Sequence, residues 1–156
     1  MRFSISRMTE HDLLEVVEIE EISGLSPWGW DAYHKELHES QGATMLVARI
    51  LTAKTGLASG KGIAGFIVSR MVADEIHVNN VAVRPEFRQR GIGTKLLRFA
   101  LQKGREAGAQ VAFLEVRVGN LAAQALYRSA GFAATGQRLG YYHDPLEDAL
   151  LMSLSL

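Results

Sequence analysis

One stretch near the middle of the chain restricts the fold more than any other. Val81-Ala82-Val83 closes an apolar, β-rich run, and Arg84-Pro85-Glu86-Phe87-Arg88-Gln89-Arg90 makes a polar, basic turn. Gly91-Ile92-Gly93-Thr94 then opens a segment whose apolar residues, Leu96, Leu97, Ala100 and Leu101, recur at helical spacing. A strand that feeds such a turn aims the first free N–H groups of the helix at whatever precedes it, and the helix dipole favours negative charge there. Glycines allow close approach of a phosphate to the backbone, and Arg88 and Arg90 add full charges. In physical terms this is a pyrophosphate cradle. The bland alternative is a surface turn with flexible glycines and solvated arginines; the strand before and the amphipathic helix after are the context that a cradle requires.

The spacing excludes two common phosphate ligands. A Walker loop needs Gly-x-x-x-x-Gly-Lys-Ser/Thr, but Thr94 separates Gly93 from Lys95. A dinucleotide fingerprint needs a third small residue after Gly91-x-Gly93, and Leu96 stands there.

The rest of the chain frames this unit. Residues 2–7 alternate as a short strand. Thr9 reads as an N-cap with Asp12 three residues on, ahead of a helix with Leu13, Leu14, Val17 and Ile22 as its apolar stripe, ending near Gly24. Ser26-Pro27-Trp28-Gly29-Trp30 is a turn, and a second short helix follows to about residue 39. Strands are expected at residues 44–50, 63–71 and 75–83, with residues 52–62 as a loop joining a hairpin. After the helix at 92–106, residues 111–118 read as a strand. Asn120 caps a further helix, in which the alanines and Leu126 pack inward and which Gly131 ends. Strand returns from Phe132, turns at His143-Asp144-Pro145 and ends with residues 149–154. This order predicts an α/β domain with a mixed sheet, spanning residues 1–156 as a single unit.

Composition removes whole classes of chemistry. The 156 residues contain no cysteine, which excludes disulfides, thiolate metal sites and thiol nucleophiles. The 17 basic and 17 acidic side chains cancel, so no global field draws nucleic acid or an anionic membrane, and direct nucleic-acid binding is not expected. The first residues lack an apolar signal core, and no apolar run approaches the roughly 18 residues of a membrane span. A cytoplasmic protein is expected, as a monomer or weak homodimer. His34 and His38 stand at i,i+4 on the second helix, a spacing that can bind metal. The intervening Glu36 is misplaced for a zincin motif and no third ligand is evident, so the pair reads as a solvated helix face, and no metal is expected.

Three further residues could carry chemistry. Glu115 interrupts the apolar run Val111-Ala112-Phe113-Leu114-Glu115-Val116, and a carboxylate there faces solvent, a partner such as Arg117, or a cleft. Asn120 and Tyr127, seven residues apart, lie nearly on one helix face. Asn120 has a ready role as an N-cap, and Tyr127 can equally be a core aromatic with a wet hydroxyl.

Arg88-Gln89-Arg90-Gly91-Ile92-Gly93 resembles the Arg/Gln-x-x-Gly-x-Gly/Ala signature of the GNAT superfamily of N-acetyltransferases. The element order also resembles that fold over essentially the whole chain. The resemblance is closest to the bacterial family that acetylates the N-terminal alanine of a small-subunit ribosomal protein. It rests on Ser26-Pro27-Trp28, on Asn80-Val81-Ala82-Val83, on Leu114-Glu115-Val116-Arg117 with Asn120 and Ala125-Leu126-Tyr127, and on Tyr141-Tyr142 followed by Glu147-Asp148-Ala149. The resemblance implies a mostly antiparallel mixed sheet, flanked by helices, whose two central parallel strands splay apart to admit acetyl-CoA. Val81, Ala82 and Val83 would hold the pantetheine arm, and Arg88, Gln89, Arg90, Gly91, Ile92, Gly93 and Thr94 the pyrophosphate, with Asn120 touching the cofactor. Glu115 would accept the proton of the amine, directly or through water, and Tyr127 would protonate the leaving thiolate. Trp28, Tyr141 and Tyr142 would border the groove for a protein N-terminus or peptide, such as that of a small-subunit ribosomal protein. The sequence departs from the family at residues 52–62 and 143–146, which leaves a small amine or a lysine side chain open as acceptor. A non-catalytic acyl-CoA-binding module is disfavoured, since cofactor binding alone needs no base.

Elementary acid–base chemistry fits these implied roles. A thiol near pKa 8.5 and a phenol near 10 differ by about 2 kcal/mol, which proton transfer during collapse of a tetrahedral intermediate can bear. At pH 7 an α-amine is made neutral for about 1 kcal/mol and a lysine amine for about 4.6, so a single carboxylate serves an N-terminal amine more easily.

Overall fold

The computed structural model describes residues 2–25, 27–51 and 62–156; Ser26 and all but the last residue of the loop expected at 52–62 lie outside the described residues. Among the described residues seven strands form one sheet: β1 (Arg2–Arg7), β2 (Ala43–Leu51), β3 (Ile63–Val72), β4 (Glu75–Val83), β5 (Val111–Arg117), β6 (Ala133–His143) and β7 (Leu146–Ser155). Their spatial order is β1-β2-β3-β4-β5-β7-β6. Every pairing is antiparallel except β4 with β5. The helices are α1 (Leu13–Ile22), α2 (Gly29–Glu39), α3 (Ile92–Glu106) and α4 (Leu121–Ser129), with short 3₁₀ turns at Glu10–Asp12 and Pro85–Phe87.

The sheet buries both faces. Met45 and Val47 point into a core with Leu13, Val16 and Ile19 of α1 and Tyr33 of α2. Leu46, Ala48 and Ile50, alternating with them, meet Leu96, Leu97, Ala100 and Leu101 of α3 on the other side. The expected α3 stripe is therefore the observed one. Gly104 extends it: a Cβ there would lie 2.0 Å from Ile76 Cδ1, so only glycine lets α3 approach β4 this closely.

Elsewhere the register differs from expectation. On α1 the inward residues are Leu13, Val16, Ile19 and Glu20, whereas Leu14 is 76% and Ile22 50% exposed. The 3₁₀ turn after Thr9 delivers the chain with Leu13 facing the sheet, and the 100° step of the helix then carries Leu14 to solvent. On α4 Gln124 and Tyr127 are the buried residues; Ala123 and Leu126 pack at the margin, and Ala122 and Ala125 are exposed. The last strand starts at Leu146 rather than 149, because hairpin pairing with β6 runs up to His143↔Leu146.

One irregularity creates the opening in the sheet. Opposite β3, Val68 pairs with Asn80 and Ser69 with Val78, so Asn79 is an extra residue bulged out of β4. An inserted residue reverses the alternation. Before it, Ile76 and Val78 face the α3 core; beyond it, Ala82 faces the α1–α2 core. The parallel ladder to β5 runs from Glu75↔Val111 to Val78↔Leu114 and stops there. Residues 79–83 and 115–117 continue as separated strand ends, which is the expected splay.

Candidate active site

The parting strands open a cleft of about 1120 Å³. Asn79, Asn80 and Val81 line it from β4, Glu115 and Arg117 from β5, Asn120 and Tyr127 from α4, Trp28 from the α1–α2 turn, and Tyr141 and Tyr142 from β6. The sheet thus brings together Trp28, Val81, Glu115, Asn120, Tyr127, Tyr141 and Tyr142, which are scattered along the chain. Ala82 is turned into the α1–α2 core, and Val83 packs beside the α3 core.

Glu115 stands one residue beyond the last parallel pair, where the strands separate. It shares the outward face of β5 with Phe113 and Arg117. Its ionic neighbour is not Arg117 but Arg138 of β6, at 3.6 Å. Arg117 is held by Glu147 at 3.2 Å and stacks on the Tyr142 ring, 4.3 Å from its centroid. The neighbouring Glu115 carboxylate, together with burial, raises the pKa of the Tyr141 phenol. Burial and the nearby Glu115 charge push Tyr142 up to about 12.

Tyr127 is buried against Phe132, ring centroids 6.0 Å apart, and reaches the cleft from below. Burial, with the neighbouring Tyr142, raises its pKa well above that of an exposed phenol, so it stays protonated throughout the neutral range. The same low-dielectric surroundings also raise the pKa of a thiol leaving there, so the gap between the two groups is preserved better than either absolute value. Asn120 does cap α4, its Oδ1 accepting from the Ala123 N–H at 3.1 Å, and it lines the cleft as well. Gln124 fastens this corner, donating to the carbonyls of Arg117 and Val118 at 3.2 and 2.9 Å.

The glycine turn leads from the β4 end of the cleft into α3. Gly91 adopts φ 80°, and a Cβ built on it would meet nothing within 4 Å, so the backbone demands glycine and leaves open space for a ligand. Gly93 has a different reason: a Cβ would lie 3.2 Å from Leu126 Cδ2, so here glycine admits α4 beside α3. Gln89 also has positive φ, 60°, which folds the turn tightly. Arg88 differs from expectation. Its Nε donates to the Val83 carbonyl at 3.0 Å and a terminal nitrogen reaches Ser23 at 3.4 Å, so it ties the turn to the strand it leaves. Arg90 lies near the Phe87 ring and is exposed. The open backbone at Gly91 and the unpaired first-turn N–H groups of α3 suit a pyrophosphate.

Sequence reasoning missed a buried polar cluster behind Trp28. Glu20, fully buried on α1, accepts from the backbone N–H groups of Trp28 and Gly29 at 3.0 and 3.2 Å. The Tyr33 hydroxyl donates to its other oxygen and accepts from Asn80 Nδ2 at 2.8 Å. The α1–α2 turn is thereby bolted to the bulged part of β4. A glutamate inside the apolar spacing Leu13, Val16, Ile19, Glu20 was the available signal. Arg84 was missed too: wholly buried, it pairs with Glu15 and Glu18 and donates to the Ile63 carbonyl, fixing α1 to the end of β4.

A mixed sheet parted at a β4 bulge, a helix-opening glycine turn beside the gap, and a carboxylate with a protonated phenol inside it define an acetyl-transfer fold. A sequence profile described as the acetyltransferase (GNAT) family matches residues 13–132, and the chain belongs to that family. A Bacillus subtilis (strain 168) relative is 36% identical over 98% of this chain and 95% of its own length, and it bears a provisional form of the name ribosomal protein bS18-alanine N-acetyltransferase. The protein of Escherichia coli (strain K12) with that name is 32% identical over 98% of this chain and 97% of its own. The crystal structure of the Escherichia coli ribosomal-protein-S18-alanine N-acetyltransferase superposes with a TM-score of 0.80 at 29% identity, covering 99% of this chain and 94% of that one. The protein is an N-acetyltransferase. No described helix is long and apolar enough to cross a membrane.

Proposed function

We propose that the chain moves the acetyl group of acetyl-CoA onto the α-amine of an N-terminal alanine, that of ribosomal protein bS18 being the acceptor the relatives' names point to. The observation that carries this reading is the meeting of Glu115 and Tyr127 in one cleft at the point where β4 and β5 separate. Acetyl-CoA lies with its pyrophosphate at the turn formed by Arg88 to Thr94 and its pantetheine arm along Val81 to Val83, with Asn120 beside it. The neutral amine attacks the thioester carbonyl, Glu115 takes the amine proton directly or through water, and the C–S bond breaks as Tyr127 protonates the thiolate. No covalent enzyme intermediate forms.

The acceptor side runs from Trp28 past Glu115 to Tyr141 and Tyr142. Its charged lining is mixed: Glu75, Glu115 and Asp144 are offset by Arg117 and Arg138. A polyamine would require an acidic pocket, whereas this lining suits a peptide carrying one amine. Cytoplasmic action fits this acceptor.

The test is incubation with acetyl-CoA and a peptide panel that varies residue one and includes an internal lysine, with the acetyl group located by mass spectrometry. Acetylation of the α-amine, best on alanine, is expected. Modification confined to the lysine, or to small amines offered beside the peptides, would refute the acceptor.

A further inference from the structure

His34 and His38 leave a third partner unnamed in the sequence, and the fold supplies one. Glu10 opens the 3₁₀ turn ahead of α1 and faces both imidazoles on α2. His34 Nε2 lies 3.5 Å from Glu10 Oε1, and His38 Nε2 lies 3.5 Å from Glu10 Oε2. One donor atom from each of the three residues falls within 4.8 Å of the other two. We propose that Glu10, His34 and His38 form a zinc(II) site on the outer face of the molecule, apart from the acetyl-transfer cleft.

The distances favour an ion over direct hydrogen bonds. An N–H···O bond brings the heavy atoms to about 2.7 to 3.2 Å, and both contacts here are longer. Zinc bonds of about 2.0 to 2.2 Å at a tetrahedral angle separate neighbouring ligand atoms by about 3.4 Å, close to the 3.5 Å between each imidazole nitrogen and the carboxylate oxygen that faces it. The donor set agrees: two imidazoles and one carboxylate suit zinc, whereas calcium and magnesium prefer oxygen throughout. The rings are also oriented. Trp30 stacks on His34 with centroids 4.6 Å apart, and the His34 and His38 rings lie 4.4 Å apart. All three side chains are partly exposed, which gives the ion an entry path and leaves a fourth position to water.

Such an ion would join the turn before α1 to α2. The N-terminal end of α2 presents Trp28 to the cleft. The ion therefore braces the acceptor side of the molecule without entering the reaction.

The test uses the full chain, freed of metal by a chelator and titrated with zinc chloride by calorimetry. One zinc per chain and a raised melting temperature are expected. His34→Ala, His38→Ala and Glu10→Gln should each weaken binding by more than the 10- to 100-fold that loss of a supporting group costs, that is, by above about 100-fold. His77→Ala should bind as the wild type does. Independently of any variant, imidazole nitrogen NMR of the wild type should shift for His34 and His38 on zinc addition and stay put for His77 and His143. A wild type that takes up no zinc, a Glu10→Gln/His34→Ala/His38→Ala chain that binds it undiminished, or shifts confined to other histidines would overturn the site.

Discussion

A carboxylate at the mouth of the cleft and a buried phenol beneath it divide the proton work, and single substitutions separate them. Glu115→Gln keeps the shape and removes basicity. Turnover should fall by roughly 10² to 10⁴, the usual worth of a general base, with acetyl-CoA affinity retained. Raising the pH toward the acceptor's own pKa, about 7.7 to 8.0, should partly restore this variant, because more amine is then already neutral. Tyr127→Phe should respond in the opposite sense, losing more where thiolate protonation limits the rate. A kcat/KM pH profile on one N-terminal alanine peptide decides; wild-type rates from both variants would make these residues structural. Glu20 works at one remove. Glu20→Gln retains an acceptor for the Trp28 and Gly29 amides but turns a donor on the Tyr33 hydroxyl, which already accepts from Asn80. The peptide KM should rise with kcat little changed, the pattern of lost uniform binding. A fall in kcat at constant KM would place Glu20 in the chemical step instead.

Elements are held to one another by a few buried charges. Asp12 caps the turn before α1 and receives both terminal nitrogens of Arg49 on β2, at 3.0 and 2.9 Å. Burial alone would raise its pKa, but the hydrogen bonds from Arg49 and Thr9 outweigh that and hold it below the ordinary value. A depressed native pKa means that the stabilisation is complete above the unfolded pKa, about 3.9, and disappears as the pH falls through the native one. Asp12→Asn should therefore cost about 1.5 to 3 kcal/mol at pH 7, the range for hydrogen bonds to charged groups. The gap in melting temperature from wild type should be level between pH 7 and about pH 5 and close below about pH 4. A gap that persists to low pH would show that packing, not charge, is lost.

On the scale of the molecule, the two halves of the sheet are paired, among the described residues, by the short parallel ladder from Glu75↔Val111 to Val78↔Leu114. A ligand lodged beyond it, between β4 and β5, touches both halves and binds only the folded state. CoA at 100 times its dissociation constant should add about 2.7 kcal/mol of stability, or roughly 5 to 10 °C in melting temperature for a chain of this size. Gly91→Ala separates two effects. The left-handed backbone should lower the melting temperature without ligand by the worth of about 1 to 2 kcal/mol, and the obstructed turn should abolish the CoA-dependent rise. A full rise in that variant would move the pyrophosphate elsewhere.

Local pattern alone determined the element order, the α3 stripe and the strand–turn–helix unit, since each follows from periodicity, capping and glycine placement within a few residues. The same unit, through its signature, pointed to the family and hence to Glu115 and Tyr127. Tertiary structure alone decided the rest, because it depends on which distant groups meet. The bulge at Asn79 is invisible in an apolar run, for an inserted residue shows only against the register of its neighbour β3. Leu14 and Ile22 are as apolar as Leu13 and Ile19; the entry angle set at Thr9 chose between them. Arg138 reaches Glu115, and Glu20 reaches Trp28 and Tyr33, across stretches of chain that no spacing rule connects. Buried charges and cleft linings are properties of an assembled sheet, and a sequence reports them only after the strands have been put side by side.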